Sequence, residues 1–245
     1  MKYLARFMAL GALSVLPWLT YAVAESAEFE AQQTGSKSKA LQVGDIHLGS
    51  SRAFVYVGKS GLVGHNHGIE GHIREGRIDL PQSINAGKIV FEMNSFDADT
   101  DTARRYMGLE GSTDAGTRKE VTANMQGEHV LDVARYPTAT FTIESIQPVA
   151  GKSPRGFDQY QFAGKFTLHG VTNPLRVVVE AEPRQPWMHL RCRFDVLQSD
   201  YGITPFSKVF GTVGVADALR IWGDLWVLNE LPQTQASATG QTRTK

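Results

Sequence analysis

The sequence predicts an all-β chain of roughly eight antiparallel strands interrupted by one helical insertion. Three observations carry that prediction. Stretches of period-2 alternation recur along most of the chain, separated by Gly-, Pro- and Asn-rich breaks. The clearest of them, Phe157 to Glu182, reads as two strands folded back on each other with an apolar inner face. Between Thr100 and Ala134 the period changes to that of a helix and then reverts. Such a pattern suits a sandwich or an antiparallel barrel, and unbroken alternation favours closure, because a closed barrel leaves no edge to aggregate. About eight strands is also the size at which a barrel is either filled by side chains or encloses one ligand.

Taken in order, Arg52 to Gly58 alternates as a strand and is broken by the four glycines of residues 58–68. Gly68 to Leu80 resumes, with Ile69 and Ile73 opposite Glu70, His72 and Arg74. Lys88 to Ser95 sets Ile89, Phe91 and Met93 against Lys88, Val90, Glu92 and Asn94. Thr100 to Glu110 then reads as a short helix ending at Gly111. Thr117-Arg118-Lys119-Glu120 has the form of a capping box, which predicts a second helix from Thr117 to about Gly127. A third helical turn spans Glu128 to Ala134, and the insertion is expected to cover a rim or one face of the sheet. Strands return at Thr138 to Ile146. In the hairpin that follows, Tyr160, Phe162, Phe166 and Leu168 share one parity, Gly170 and Asn173-Pro174 supply the turn, and Leu175, Val177, Val179 and Ala181 resume. Met188 to Leu197 and Ala218 to Leu228 complete the set, with Gln198 to Gly214 as a long loop holding at most a strand fragment.

The ends of the chain read differently. Met1 to Ala24 has a basic start (Lys2, Arg6), an apolar run broken by Pro17 and a small-residue site at Ala22-Val23-Ala24. The run is too short for a membrane span. Residues 1–24 are therefore expected to be a secretory signal peptide, 25–40 a flexible leader, 41–230 the β-barrel domain and 231–245 a disordered tail. This makes the mature chain a periplasmic protein with no transmembrane segment. Removing Lys2 and Arg6 leaves 23 basic against 25 acidic residues, a net charge of −2, so nothing steers it toward nucleic acid. The single Cys192 excludes an internal disulfide framework, and its parity with Met188, Leu190 and Phe194 marks a buried, inert thiol.

Three segments resemble one family: Ala134–Ile146, Phe162–Glu182 and Ser199–Ser207 are similar to the YceI-like proteins. Tyr136-Pro137-Thr138-Ala139-Thr140 and Leu168-His169-Gly170-Val171-Thr172 are the specific part, and the likeness runs from about Leu41 to Leu228. The resemblance implies a lipocalin-like antiparallel barrel that, in some members, holds a polyisoprenoid chain, a quinone or a similar amphiphile. It brings no catalytic residues. Gly64-His65-Asn66-His67-Gly68 is a His-rich variant of a segment that is often aromatic or aliphatic in the family.

The residues expected to line a ligand site are Phe54, Tyr56, His65, His67, Ile69, Phe91, Met93, Phe141, Ile143, Phe162, Phe166 and Phe194, from several strands. Glycines on the inner face, Gly164 and Gly223, are expected to leave unfilled space. His65 and His67 can share a metal, but zinc asks for three or four ligands and no partner cluster is evident in the spacing. They are read first as hydrogen-bonded imidazoles in a rim loop and only weakly as metal ligands. Asp97 to Asp101 lacks the Gly and Glu of a calcium loop and reads as a solvated loop with a helix cap. Gly58-Lys59-Ser60 lacks the first Gly and the helix of a phosphate-binding loop, and no nucleophile elbow is present. The expected function is a non-enzymatic periplasmic carrier holding an apolar lipid-like ligand, with no cofactor other than a bound polyisoprenoid or quinone. A homodimer is left open. The rival reading is a metal- or redox-linked periplasmic protein using His65 and His67; a hydrolase with one of them as base lacks a nucleophile.

Overall fold

The structure, a computed structural model, describes residues 40–81 and 84–231. The expected signal peptide, all but the last residue of the leader and residues 232–245 of the tail lie outside the described residues. Among the described residues nine strands follow in order: β1 (Arg52–Lys59), β2 (His67–Ile78), β3 (Gly87–Ala98), β4 (Thr138–Lys152), β5 (Asp158–Leu168), β6 (Val171–Arg184), β7 (Trp187–Leu197), β8 (Ser207–Lys208) and β9 (Val213–Leu228). Helices α1 (Asp101–Tyr106) and α2 (Ala115–Gln126) form the insertion between β3 and β4. Each long strand pairs antiparallel with its sequence neighbour, β7 pairs with β9, and β9 returns to β1. Eight strands thus close into a barrel, and the two-residue β8 is only a flap on β9. Closure leaves no free edge strand, the outcome that continuous alternation favoured, although β6 and β7 pair only through Val179–Arg184 and Trp187–Cys192.

The β5–β6 hairpin shows how sequence makes this wall. Leu168 pairs with Val171 across a two-residue turn in which His169 (φ 50) and Gly170 (φ 77) both adopt the left-handed conformation. Paired positive φ angles match the twist of the flanking strands. Asn173 and Pro174 do not form the turn; they sit inside β6 opposite Phe166 and Lys165. The hairpin therefore reverses at His169-Gly170, four residues before the Asn-Pro pair.

The barrel has two unlike halves. At one end β1 begins late, and the segment before it runs between the overhanging ends of β2 and β9: Ile46 N–H donates to Gly76 O, His47 N–H to Trp226 O, and Ile46 bridges to Val227. Ile46, Ile78, Ile143 and Ile146 pack there at 4% exposure or less, making a solid floor. The other end carries the helices, the loop before β2 and the β8–β9 flap.

The helices depart from the boundaries read in the sequence. Thr100 caps α1, its hydroxyl accepting from Ala103 N–H, but the helix stops at Tyr106. For α2 the cap is Asp114, whose carboxylate accepts from Gly116 and Thr117 N–H; Thr117 lies inside the first turn and donates its own hydroxyl to Asp114. The capping-box reading was thus three residues late. A carboxylate at the N-cap satisfies the orphan N–H groups as well as a hydroxyl does and also complements the helix dipole.

Candidate functional site

Inside the upper half lies a cavity of about 460 Å³, within the range of small-molecule sites. Its wall is built from alternate residues of the strands: Val55 and Val57 of β1, Phe91 of β3, Phe162 and Phe166 of β5, and Val177 of β6 are among them. Phe166 packs edge-on against Phe91, Phe194 and Tyr201, with ring centres 5.7–6.5 Å apart. These edge contacts hold the rings upright and keep the lumen open between them. Cys192 faces the lumen too, and burial pushes its thiol up to about 11, which keeps it protonated and inert at neutral pH.

Polar side chains collect at the mouth. Helix α2 lies along it, presenting Thr117, Glu120, Val121, Asn124 and Met125 to the cavity. The helix buries no residue of its own fully and is moored by hydrogen bonds to the end of β3. Thr122 donates to Asp97 and accepts from Ala98 N–H, Arg118 pairs with Asp97 at 3.0 Å, and Gln126 donates to Phe96 O. Opposite runs the loop of residues 60–64, tied to the flap by Ser60 N–H to Gly214 O and Val63 N–H to Thr212 O. Leu62, Val63, Val209 and Phe210 stand exposed on these two loops, giving the entrance apolar lips.

At the same rim, His65 Nε2 and His67 Nδ1 lie 3.1 and 2.7 Å from one oxygen of Asp99. The other oxygen accepts from Gly68 N–H at 3.1 Å and from the buried Arg104 at 3.2 Å. Arg104 in turn donates to the carbonyls of Gly111 and Glu110. Burial by itself would raise the Asp99 carboxyl, but the hydrogen bonds from His67, His65 and Gly68 overcome it and hold Asp99 well below the usual carboxylate range. Asp99 is thus an ionised, buried carboxylate and no part of a solvated loop.

Of the residues expected to line the site, His65, His67, Ile69, Phe91, Met93, Phe141, Phe162, Phe166 and Phe194 border the cavity. Phe54 and Tyr56 do not. In β1 the inward parity belongs to Ala53, Val55 and Val57, so Phe54 and Tyr56 point outward. Phe54 is nonetheless buried, because Tyr106 of α1 stacks on it at 3.9 Å outside the wall, with Trp222 edge-on to Tyr106. Large aromatics on the wrong parity were covered by a helix the strand pattern could not place. Ile143 points inward but belongs to the packed floor. Gly164 makes no empty space: a Cβ there would collide with the Thr142 carbonyl of β4, whereas Gly223 does border the cavity, its Cβ position lying 2.9 Å from Cys192 Sγ. The α2 residues at the mouth fit the expectation that the insertion covers a rim, whereas the carboxylate of Asp99 escaped the sequence reading, since it meets His65 and His67 only through long-range folding.

A closed antiparallel barrel with an apolar hollow open at one rim defines a binding-barrel architecture. The chain belongs to the YceI-like family: the YceI-like domain profile matches residues 47–225. Among solved structures, it is similar to BcnA of Burkholderia cenocepacia, at 18% identity and TM-score 0.51, covering 75% of this chain and 99% of that one. A polyisoprenoid binding domain from Saccharophagus degradans, implicated in plant cell wall breakdown, aligns at 13% identity and TM-score 0.48 over 76% and 99% of the two chains. The YCEI protein of Campylobacter jejuni aligns at 12% identity and TM-score 0.42 over 81% and 93%. No curated protein matches the sequence.

Proposed function

We propose that the protein is a non-enzymatic periplasmic carrier that shelters a long apolar chain, such as that of a polyisoprenoid, quinone or related lipid, inside the barrel. The observation that carries this reading is the cavity itself: an apolar lumen of about 460 Å³ with polar groups confined to its mouth. Such a site favours a ligand with an apolar body and a polar end. Burial stabilises the body by roughly 25 cal/mol per Å² of apolar surface, so a long tail binds without a charged anchor. The head then lies among His65, His67, Glu120 and Asn124 at the rim. The exposed Leu62, Val63, Val209 and Phe210 offer apolar surface to an incoming chain, and Val63 among them borders the cavity. The periplasmic address rests on the basic, apolar and small-residue pattern of residues 1–24.

The test is lipid extraction and native mass spectrometry of protein purified from its host, wild type beside Val177→Phe and Phe162→Trp. Both substitutions add bulk to the lumen. Wild type is expected to carry an apolar lipid, and the variants to lose it while the delipidated proteins melt close together. A wild type that carries no lipid and takes up neither a ubiquinone nor a long-chain polyprenol overturns the reading.

A further inference from the structure

We infer that His65, His67 and Asp99 form a metal site for one first-row divalent cation at the mouth of the barrel. The inference is independent of whether a lipid fills the cavity. Three donor atoms converge within 4.8 Å of one another: His65 Nε2, His67 Nδ1 and an oxygen of Asp99. In a six-coordinate site with bonds of about 2.1 Å, adjacent ligand atoms sit about 3 Å apart. The two His-to-Asp separations, 3.1 and 2.7 Å, bracket that spacing. Two imidazoles and one carboxylate meeting on one face are the donor set of open transition-metal sites, in which the remaining positions are left to solvent or ligand. Here the site adjoins the rim, since His65 and His67 both border the cavity.

The supporting groups are arranged as such a site needs. A metal-binding carboxylate is fixed by hydrogen bonds to its non-ligating oxygen. Gly68 N–H and Arg104 occupy that oxygen of Asp99, and Arg104 is itself clamped by two backbone carbonyls of the α1–α2 loop. The Asp99 side chain is fully buried, whereas that of His65 is 45% exposed, so a cation can enter from the solvent side. Asp99 also holds a left-handed backbone (φ 55), a conformation that costs a non-glycine residue energy and that clusters at functional sites. The turn aims the carboxylate back at His65 and His67, across the 32 residues that separate Asp99 from His67. The chemistry of the set, two imidazole nitrogens and one carboxylate oxygen, suits zinc, iron(II), nickel or copper(II) and disfavours calcium or magnesium.

The experiment uses untagged protein, metal-stripped and titrated with Co²⁺ and, separately, Zn²⁺. One equivalent of each is expected to bind, with cobalt giving visible d–d bands and paramagnetically shifted imidazole proton signals from His65 and His67 alone. His65→Ala and His67→Ala should each weaken binding by more than about 100-fold, exceeding the usual effect of losing a supporting group. His72→Ala, on an exposed position of β2, should leave it unchanged. Calcium at the same concentration should not compete. No stoichiometric uptake by the wild type, or uptake unaltered in both His variants, overturns the assignment. The shifted imidazole signals of the wild type decide the matter even if a variant fails to fold, since signals from other histidines place the metal elsewhere.

Discussion

The two halves of this barrel share strands and an apolar inward face, yet one is solid and the other hollow. In the floor, Ile46 enters from outside the strand order and packs in one buried cluster with Ile78 of β2 and Ile143 and Ile146 of β4. Four branched side chains from three segments fill the cross-section. In the upper half the same ring of strands is wider than its inward residues can span, and the Phe rings stand edge-on around a lumen. Among the described residues no central segment enters there; α2 lies along the rim and is moored mainly by polar bonds. The difference teaches that inward alternation specifies a wall, while what fills the wall is supplied by segments outside it.

Truncation should break the symmetry most strongly. Ile143→Ala in the floor removes a fully buried side chain from a site with no slack and should cost about 2–5 kcal/mol in denaturant unfolding. Ile69→Ala borders existing space and should fall at or below the bottom of that range, because it opens little new cavity. Equal costs would mean that the upper half is packed after all. Enlargement tests the converse. Gly164→Ala drives a Cβ into the β4 backbone and should cost about 1–3 kcal/mol, whereas Val177→Phe, aimed into the lumen, should cost the ligand-free protein much less. If Val177→Phe proves as damaging as Gly164→Ala, the lumen is filled.

A smaller effect concerns the moored helix. Asp114→Ala removes the cap of α2 and should weaken it by about 1 kcal/mol, seen as faster amide exchange in residues 115–126 with the floor strands unaffected. Thr117→Ala should do less, since Asp114 keeps its bonds to the backbone. The reverse order would restore Thr117 as the cap. The smallest effect appears only in alkali. The Cys192 thiol is raised by burial from 9.0 to about 11, so its contribution to stability is complete below pH 9 and is lost as pH rises through 11. Native-state alkylation should follow that raised value and should slow further when an apolar ligand occupies the lumen. A reactivity midpoint near 9 would place the thiol in open solvent.

Much of this could be read from residue order. Period-2 patterns located all eight barrel strands, and their continuity pointed to closure, because strand parity is a local property that survives without knowledge of partners. The same parity found Phe91, Phe141, Phe162, Phe166 and Phe194 for the lumen. It failed where a position's environment came from elsewhere in the chain. Phe54 and Tyr56 alternate as a wall should, but Tyr106 covers Phe54 from outside and reverses which face of β1 looks greasy. Asp99 looked like one acid among several in a polar loop, until folding carried it against His67, 32 residues away. Gly164 suggested room in the lumen where the neighbouring backbone leaves none. Alternation is set by bonds between neighbours and so is written in the chain; the meeting of His65, His67 and Asp99, and the hollow beneath them, depend on long-range closure, which fixes distances that residue spacing does not encode.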